Sequence, residues 1–316
     1  MSTPDSPTAT DERTGASAWS RQTAWGWGAA RLAGADLDPG DARLEAEILL
    51  RHAVGLSREE LLARPRLALP HAAASAYAAS IEKRAAGTPS AYLIGRREFF
   101  GVDMVVDERV MIPRPETERL VEVLADILRD RRAPLVVDVG TGSGAIAIAL
   151  ARLMPQARLL ATDVSPAALE VARLNAARTG VVDRIAWGEG PNLDPLAGRG
   201  LEGTLDALVA NPPYIPTAEV ARLPREVRDH EPPVALDGGP DGLAVHRVLI
   251  EGAGAYLSHG GILALEVAAL WDQARAVVGL IAATGTFGPA RVVRDYAGAE
   301  RVVIAATNVD DGSHRR

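Results

Sequence analysis

The stretch LVVDVGTGSGAIAIALARLM, residues 135–154, is the most apolar window of the chain. It has the length of a membrane span, but Asp138, Gly140, Gly142 and Gly144 interrupt it. It reads instead as a short strand (LVVDVG), a glycine turn and a helix (SGAIAIALARLM). A strand that turns through glycines into a helix opens an open α/β sheet, where ligands sit at the carboxyl ends of the strands.

Strands and helices alternate downstream of this unit. RLLATD leads to a helix from Pro166 with Ser165 as its N-cap, and RIAWGEG reads as a third strand and LDALVAN as the fourth. The run DGLAVHRVLIEGAGAYL is helical, GGILALEVA is a fifth strand, and WDQARAVVGLIAATG is a further helix. ARVVRDY and ERVVIAAT form a final strand pair. Alternation of this kind predicts an α/β fold, a mostly parallel sheet with helices on both faces.

Upstream, the pattern is helical over residues 19–87. In DARLEAEILLRHAVG, Leu44, Ile48, Leu49 and His52/Ala53 follow a helical rhythm, and Ser57 with Glu60 forms a capping-box signature. Pro70 precedes an alanine-rich helix ended by Gly87. REFFGVDMVVDERVMI then predicts a hairpin around Gly101, within a linker spanning residues 88–112. An amphipathic helix follows Thr117, at the start of a second domain over 113–307.

A chain of 316 residues can bury a sizeable core and hold two domains. The net charge of −7, without a long Lys/Arg run, argues against direct nucleic-acid binding through charge. The absence of cysteine excludes disulfides, thiolate metal sites and a cysteine nucleophile, and fits a cytoplasmic location. Six histidines show no metal-ligand spacing; each reads as a surface or turn residue, and no metal site is expected. Residues 1–18 lack an apolar signal core and read as a disordered tail, and residues 308–316 read as a second tail. No membrane association is expected.

The chemistry begins in DVGTGSGA. Gly140, Thr141, Gly142, Ser143 and Gly144 form a loop that lets a ligand touch backbone. Asp163, one strand later, suits hydrogen bonding to the two hydroxyls of a ribose. Two readings are open here. Gly140-x-Gly142-x-x-Ala145 satisfies the dinucleotide fingerprint, and the same loop also suits S-adenosylmethionine.

DALVANPPYIPT, residues 206–217, decides between them. Asn211 follows the fourth strand, whose end lies beside the glycine loop in a sheet of this kind. Taken alone, Asn-Pro-Pro-Tyr is a rigid turn. At this position it suits a planar –NH₂ group. Asn211 and the Pro212 carbonyl accept the two N–H groups, Pro212 and Pro213 stiffen the loop, and Tyr214 offers a ring for stacking. Hydride transfer has no use for that set; methyl transfer to nitrogen does.

Several stretches together resemble the release-factor glutamine methyltransferase family: GTPSAYLIGRREFFGVDMVV, VMIPRPETERLVE, DVGTGSGAIAIALA, NPPYIP, DHEPPVALDGGPDGL and RDYAGAERVV. The likeness covers about residues 18–306. It implies a Rossmann-like class I methyltransferase fold. In that fold a seven-stranded, mostly parallel sheet carries a C-terminal antiparallel pair and follows a helical domain and a hairpin. It implies methyl transfer from S-adenosylmethionine to the glutamine of a Gly-Gly-Gln loop in peptide chain release factors. By the same resemblance, the helical domain helps hold that protein substrate. Gly140 to Gly144 and Asp163 match the cofactor positions, and Asn211 to Tyr214 the substrate amide site.

The chain departs from the family at two places. Pro191 and Asn192 stand where an acidic and an apolar or aromatic residue are usual, so Asn192 is the candidate adenine contact. Ala268 replaces a glycine after the fifth strand. Arg114 and Glu116 read either as ligand contacts or as ties of the hairpin to the core, and the RDHEP segment as a substrate entrance or a polar turn. The alternatives to glutamine methylation are an amino-methyltransferase acting on a nucleic-acid base or a small molecule, and a cofactor-binding module without catalysis.

Overall fold

The computed structural model describes residues 19–35 and 37–308. The tail expected over 1–18 lies outside them, as does the one over 308–316 apart from Asn308. The chain divides into two compact units, Met1–Gly95 with Arg225–His230, and Arg96–Pro224 with Glu231–Arg316. No helix among the described residues is long and apolar enough to cross a membrane.

The first unit contains α1 (Arg21–Ala33), α2 (Pro39–Val54), α3 (Arg58–Ala63), α4 (His71–Ala85) and α5 (Ser90–Ile94). The capping box at α3 forms as the spacing predicts: Ser57 Oγ accepts from Glu60 N at 3.2 Å, and Glu60 Oε2 accepts from Ser57 N at 2.8 Å. The buried stripe of α2 differs from expectation. It runs through Ala42, Ala46, Leu49 and Leu50, whereas Leu44 is 51% exposed and Ile48 half-buried. The reason is steric. Trp27 and Tyr77 fill this core, and the small alanines leave room for their rings. Another difference is α5, which occupies the start of the stretch read as a hairpin linker.

The second unit opens with β1 (Arg96–Phe99) and β2 (Val102–Val105), paired antiparallel through Phe100 and Gly101. Both turn residues have positive φ, the twist that suits a two-residue hairpin loop. Phe99, Val102 and Met104 pack into the core of this unit. A 3₁₀ turn (Pro115–Thr117) leads to α6 (Glu118–Leu128), β3 (Leu135–Val139), α7 (Ala145–Leu153), β4 (Arg158–Asp163) and α8 (Pro166–Arg178). Next come β5 (Ile185–Glu189), β6 (Leu205–Ala210) and α9 (Thr217–Val220). After α10 (Arg225–Arg228), which belongs to the first unit, follow α11 (Ala244–Tyr256), β7 (Leu257–Glu266), α12 (Gln273–Thr284), β8 (Arg291–Arg294) and β9 (Glu300–Ala306).

The seven-stranded sheet has the order β5-β4-β3-β6-β7-β9-β8. The first five run parallel, and β9 is antiparallel to both neighbours. This is the fold class that the sequence predicts. Alternate residues of each strand face opposite layers. Val136, Leu159, Val209 and Ala264 pack with α6, α7 and α8, and Val137, Leu160, Leu208 and Leu263 pack with α11 and α12. The order reverses at β3, where Val139 lies opposite Thr162 on one side and Ala210 on the other. One reading of the histidines is corrected: His246 is fully buried on α11, and its Nε2 lies 2.9 Å from the Glu266 carbonyl. It completes the contact of α11 with β7.

Asn175 on α8 is a buried hub that sequence patterning does not reveal. Its Nδ2 donates to the carbonyls of Val105 (2.9 Å) and Ser143 (3.0 Å), and its Oδ1 accepts from Val105 N (2.7 Å). One side chain thus joins the hairpin to the glycine loop. Asn175→Ala strands these backbone groups and is expected to cost about 2–4 kcal/mol by chemical denaturation.

Candidate active site

The glycine loop is held from one carbonyl. Gly140 N and Thr141 N both donate to Thr162 O at 2.8 Å, and Gly144 N donates to Thr141 O at 2.8 Å. Gly140 and Gly142 have φ of +73° and +55°, and a Cβ on either would meet nothing within 4 Å. Glycine is needed at both for backbone conformation, and the side where a side chain would stand is open.

Two carboxylates flank the loop. Asp138 is fully buried; its Oδ2 accepts from Thr141 Oγ1 (2.6 Å) and Ala147 N (3.2 Å), while its Oδ1 has no partner among the described residues. Burial pushes its pKa up to about 7, against the pull of the Thr141 and Ala147 hydrogen bonds. Asp163 is tied to the loop itself: Oδ2 accepts from Gly142 N at 2.8 Å and Oδ1 from Ser165 N at 2.9 Å. Burial raises its pKa, and the backbone donors oppose the rise. Each oxygen keeps a lone pair for a further donor.

Asn211 stands at the end of β6. Its Nδ2 donates to Thr117 Oγ1 at 3.1 Å, which leaves Oδ1 as the acceptor for an incoming N–H. The Pro212 carbonyl takes no hydrogen bond among the described residues. Tyr214 O accepts from Gln273 Nε2 at 2.6 Å, and Ile215 exchanges backbone bonds with Leu236 O (3.1 Å) and Gly238 N (2.8 Å). Gly242 packs against this loop so closely that a Cβ there would lie 2.3 Å from Tyr214 O. Residues 236–242 therefore form a floor beneath the Asn-Pro-Pro-Tyr loop.

Behind the loop lies Glu266, the last residue of β7, which is 1% exposed. Burial pushes its pKa up to about 7; Arg301 lowers it and Glu116 raises it. Burial likewise pushes the Tyr214 phenol up, with Glu266 adding to the shift. Arg114 pairs with the buried Glu231, which also accepts from Ile112 N at 3.4 Å. It thus ties the PRPETE segment to the stretch that leads into the floor. Ala268 has no positive φ, so its methyl strains nothing. Its N donates to Gln273 Oε1 at 3.0 Å.

A cavity of about 340 Å³ opens above the switch point, walled by Gly140 to Ser143, Asp163, Asn192 and Asn211 to Pro213. Gly144 and Tyr214 are not part of its wall. Gly144 caps α7 against Ile148 and Ala172. Tyr214 is held behind the loop by the bond from Gln273 to its carbonyl. Sequence reading missed Phe99, Met111, Thr117, Pro232 and Val245 on the wall. Their apolar or small side chains carry no chemical signature, so the stretches that hold them were noticed for their pattern and not for these residues.

Two family models match: the PrmC N-terminal domain over residues 23–95 and the methyltransferase small domain over residues 116–223. The release factor glutamine methyltransferase of Moorella thermoacetica is 49% identical over 263 residues, 83% of this chain and 90% of that protein. This chain belongs to the release factor glutamine methyltransferase family. It is a methyltransferase. The family member of Gloeobacter violaceus is 43% identical over 292 residues, covering 90% of this chain and 97% of its own. Among solved structures, the hMettl16 catalytic domain in complex with MAT2A 3'UTR hairpin 6 superposes with a TM-score of 0.54. Its 16% identity, over 73% of this chain and 82% of that one, shows the shared fold alone.

The acid under the loop has a consequence for stability. A carboxyl with a pKa of about 7 when folded and about 4 when unfolded binds its proton more tightly in the folded chain. Its contribution to stability therefore declines as pH rises from about 4 to about 7. Asp138→Asn keeps an acceptor for Thr141 and Ala147 but cannot ionise. The melting temperature of the variant relative to wild type is expected to rise across that window, measured by differential scanning calorimetry at a series of pH values.

Proposed function

We propose that this chain transfers a methyl group from S-adenosylmethionine to the side-chain amide nitrogen of the glutamine in the Gly-Gly-Gln loop of peptide chain release factors, in the cytoplasm. The observation that carries the reading is Asn211, pinned by Thr117 with Oδ1 left to accept, at the cavity wall beside the glycine loop. The identity to family members that bear this substrate in their name supports the choice of glutamine.

The cavity fits the cofactor. The open faces of Gly140 and Gly142 leave room for its amino-acid portion, Asp163 has lone pairs for the ribose hydroxyls, and Asn192, on the cavity wall, is the candidate contact for the adenine. Thr141 and Ser143 complete the cradle, and Gly144 sets its turn into α7. The bound cofactor supplies a methyl group on a sulfonium.

An amide nitrogen is a poor nucleophile because its lone pair is delocalised. Asn211 Oδ1 and the Pro212 carbonyl accept its two N–H groups, orient it for in-line attack and stabilise the charge that gathers on it. Pro213 and Tyr214 hold that pair still. The nitrogen loses a proton to water after transfer, so no strong base is required. The helical residues 19–87 hold the body of the release factor, which makes the whole factor a better substrate than an excised Gly-Gly-Gln peptide.

Incubation with labelled S-adenosylmethionine and a release factor should label the wild-type factor and spare one with Gln→Ala in its Gly-Gly-Gln loop. Label that ignores this glutamine, or that enters nucleic acid, would sink the reading. Asn211→Ala is expected to lower transfer by about 100-fold or more while cofactor affinity, measured by calorimetry, stays within a few-fold.

A further inference from the structure

The sheet order sets the order of features along the cavity. The carboxyl ends of β6, β3, β4 and β5 stand side by side in that order. Each supplies one part of the wall: Asn211 from β6, the glycine loop from β3, Asp163 from β4 and residues 190–192 from β5. With the substrate amide at Asn211 and the ribose at Asp163, the purine base comes next, at the end of β5. The backbone there is tied to its neighbour, since Gly190 N donates to Asp163 O at 3.0 Å. Among the polar side chains of the wall, Ser165 spends its hydroxyl oxygen on Ala168 N at 3.2 Å, and Arg109 is held by Asp107 and Glu170. Asn192 is the polar side chain left for the base.

The turn that carries Asn192 is fixed, but its amide is not. Asp194 N donates to Pro191 O at 3.1 Å, which closes the turn. Leu193 is buried against α11, where a Cβ on Gly252 would lie 2.5 Å from Leu193 Cδ1. Asn192 has a φ of +47°, a left-handed conformation that asparagine tolerates better than most residues. Its side-chain amide has no hydrogen-bond partner among the described residues. Asn211 differs, since its Nδ2 is tied to Thr117 Oγ1 at 3.1 Å.

An untied amide can read a base in two ways. With Oδ1 forward it accepts from the 6-amino group of adenine. Turned over, it presents Nδ2 and donates to the 6-oxo group of hypoxanthine. Oxygen and –NH₂ are close in size, so the turn displaces nothing else. A tied amide, or a fixed donor or acceptor of the main chain, would suit one base and oppose the other. We propose that Asn192 is the specificity-determining residue for the base and that it reads both forms. The site then takes the 6-oxopurine (S-inosyl) counterpart of the cofactor nearly as well as the S-adenosyl form.

The inference rests on the S-adenosylmethionine reading of the cavity, and its test separates the two. Calorimetry on the full chain gives Kd for S-adenosylhomocysteine and for S-inosylhomocysteine. Wild type is expected to bind the two within about threefold, where a fixed reader would separate them roughly 10- to 100-fold. Asn192→Gly removes the amide without straining a left-handed φ. It should weaken both ligands alike, on the order of 10-fold, and leave the ratio of the two Kd values unchanged. The wild-type comparison needs no variant, so it stands whatever Asn192→Gly does to the melting temperature. Wild type that favours either ligand by about tenfold or more would overturn the proposal, because something fixed would then read the base. So would a folded Asn192→Gly variant that binds both ligands as wild type does, or that loses affinity for one alone. Failure of S-adenosylhomocysteine to bind the wild-type chain would instead refute the underlying reading.

Discussion

The parallel pairing of β3 with β4 on one side and β6 on the other is the constraint on which the site depends. It sets Val139 beside both Thr162 and Ala210, so three chain segments leave the sheet at one level. Thr162 O then holds Gly140 and Thr141. Asp163 reaches back to Gly142, and Asn211 emerges alongside. A one-residue slip of β6 would turn Asn211 to the other face and bring Pro212 into its place. The apolar layers on both sides of the sheet fix that register, because each strand presents a different set of buried residues to each layer. Packing energy far from the cavity thereby specifies geometry within it.

Much of this was readable in the chain itself. The βα alternation, the glycine turn and the cap residues report backbone requirements, and those are local. Ser57, Ser165 and Pro166 do what their spacing predicts because a cap involves only its own first turn. What escaped was long-range. The phase of α2 depends on Trp27 and Tyr77, which its own periodicity cannot know about. Asn175 spans 70 residues to Val105 and is an unremarkable polar residue on paper. His246 looked like any other histidine until β7 was laid against α11.

The two deeply buried acids show how one physical cost is put to different uses. Both lose solvation, and both are pushed toward neutrality. Asp138 is fastened to the loop through Thr141 and to the first turn of α7 through Ala147, so it stiffens the strand-to-helix junction. Glu266 ends β7, where its main-chain carbonyl meets His246 of α11. Each leaves one oxygen without a partner among the described residues. At Asp138 an apolar residue would strand the Thr141 hydroxyl and the Ala147 N–H.

The floor beneath Asn-Pro-Pro-Tyr limits how far that motif can travel. Its four residues do not hold their shape unaided. Gln273 grips the Tyr214 carbonyl, Gly242 lets the backbone come close, and residues 236–238 pair with Ile215. A protein engineer who grafts the tetrapeptide onto another sheet of the same topology transfers the donors and acceptors without their scaffold. Inheritance faces the same linkage. A change at 238, 242 or 273 alters the motif without touching a letter of it, so the heritable unit of this chemistry is the braced loop, some 60 residues long from Asn211 to Gln273.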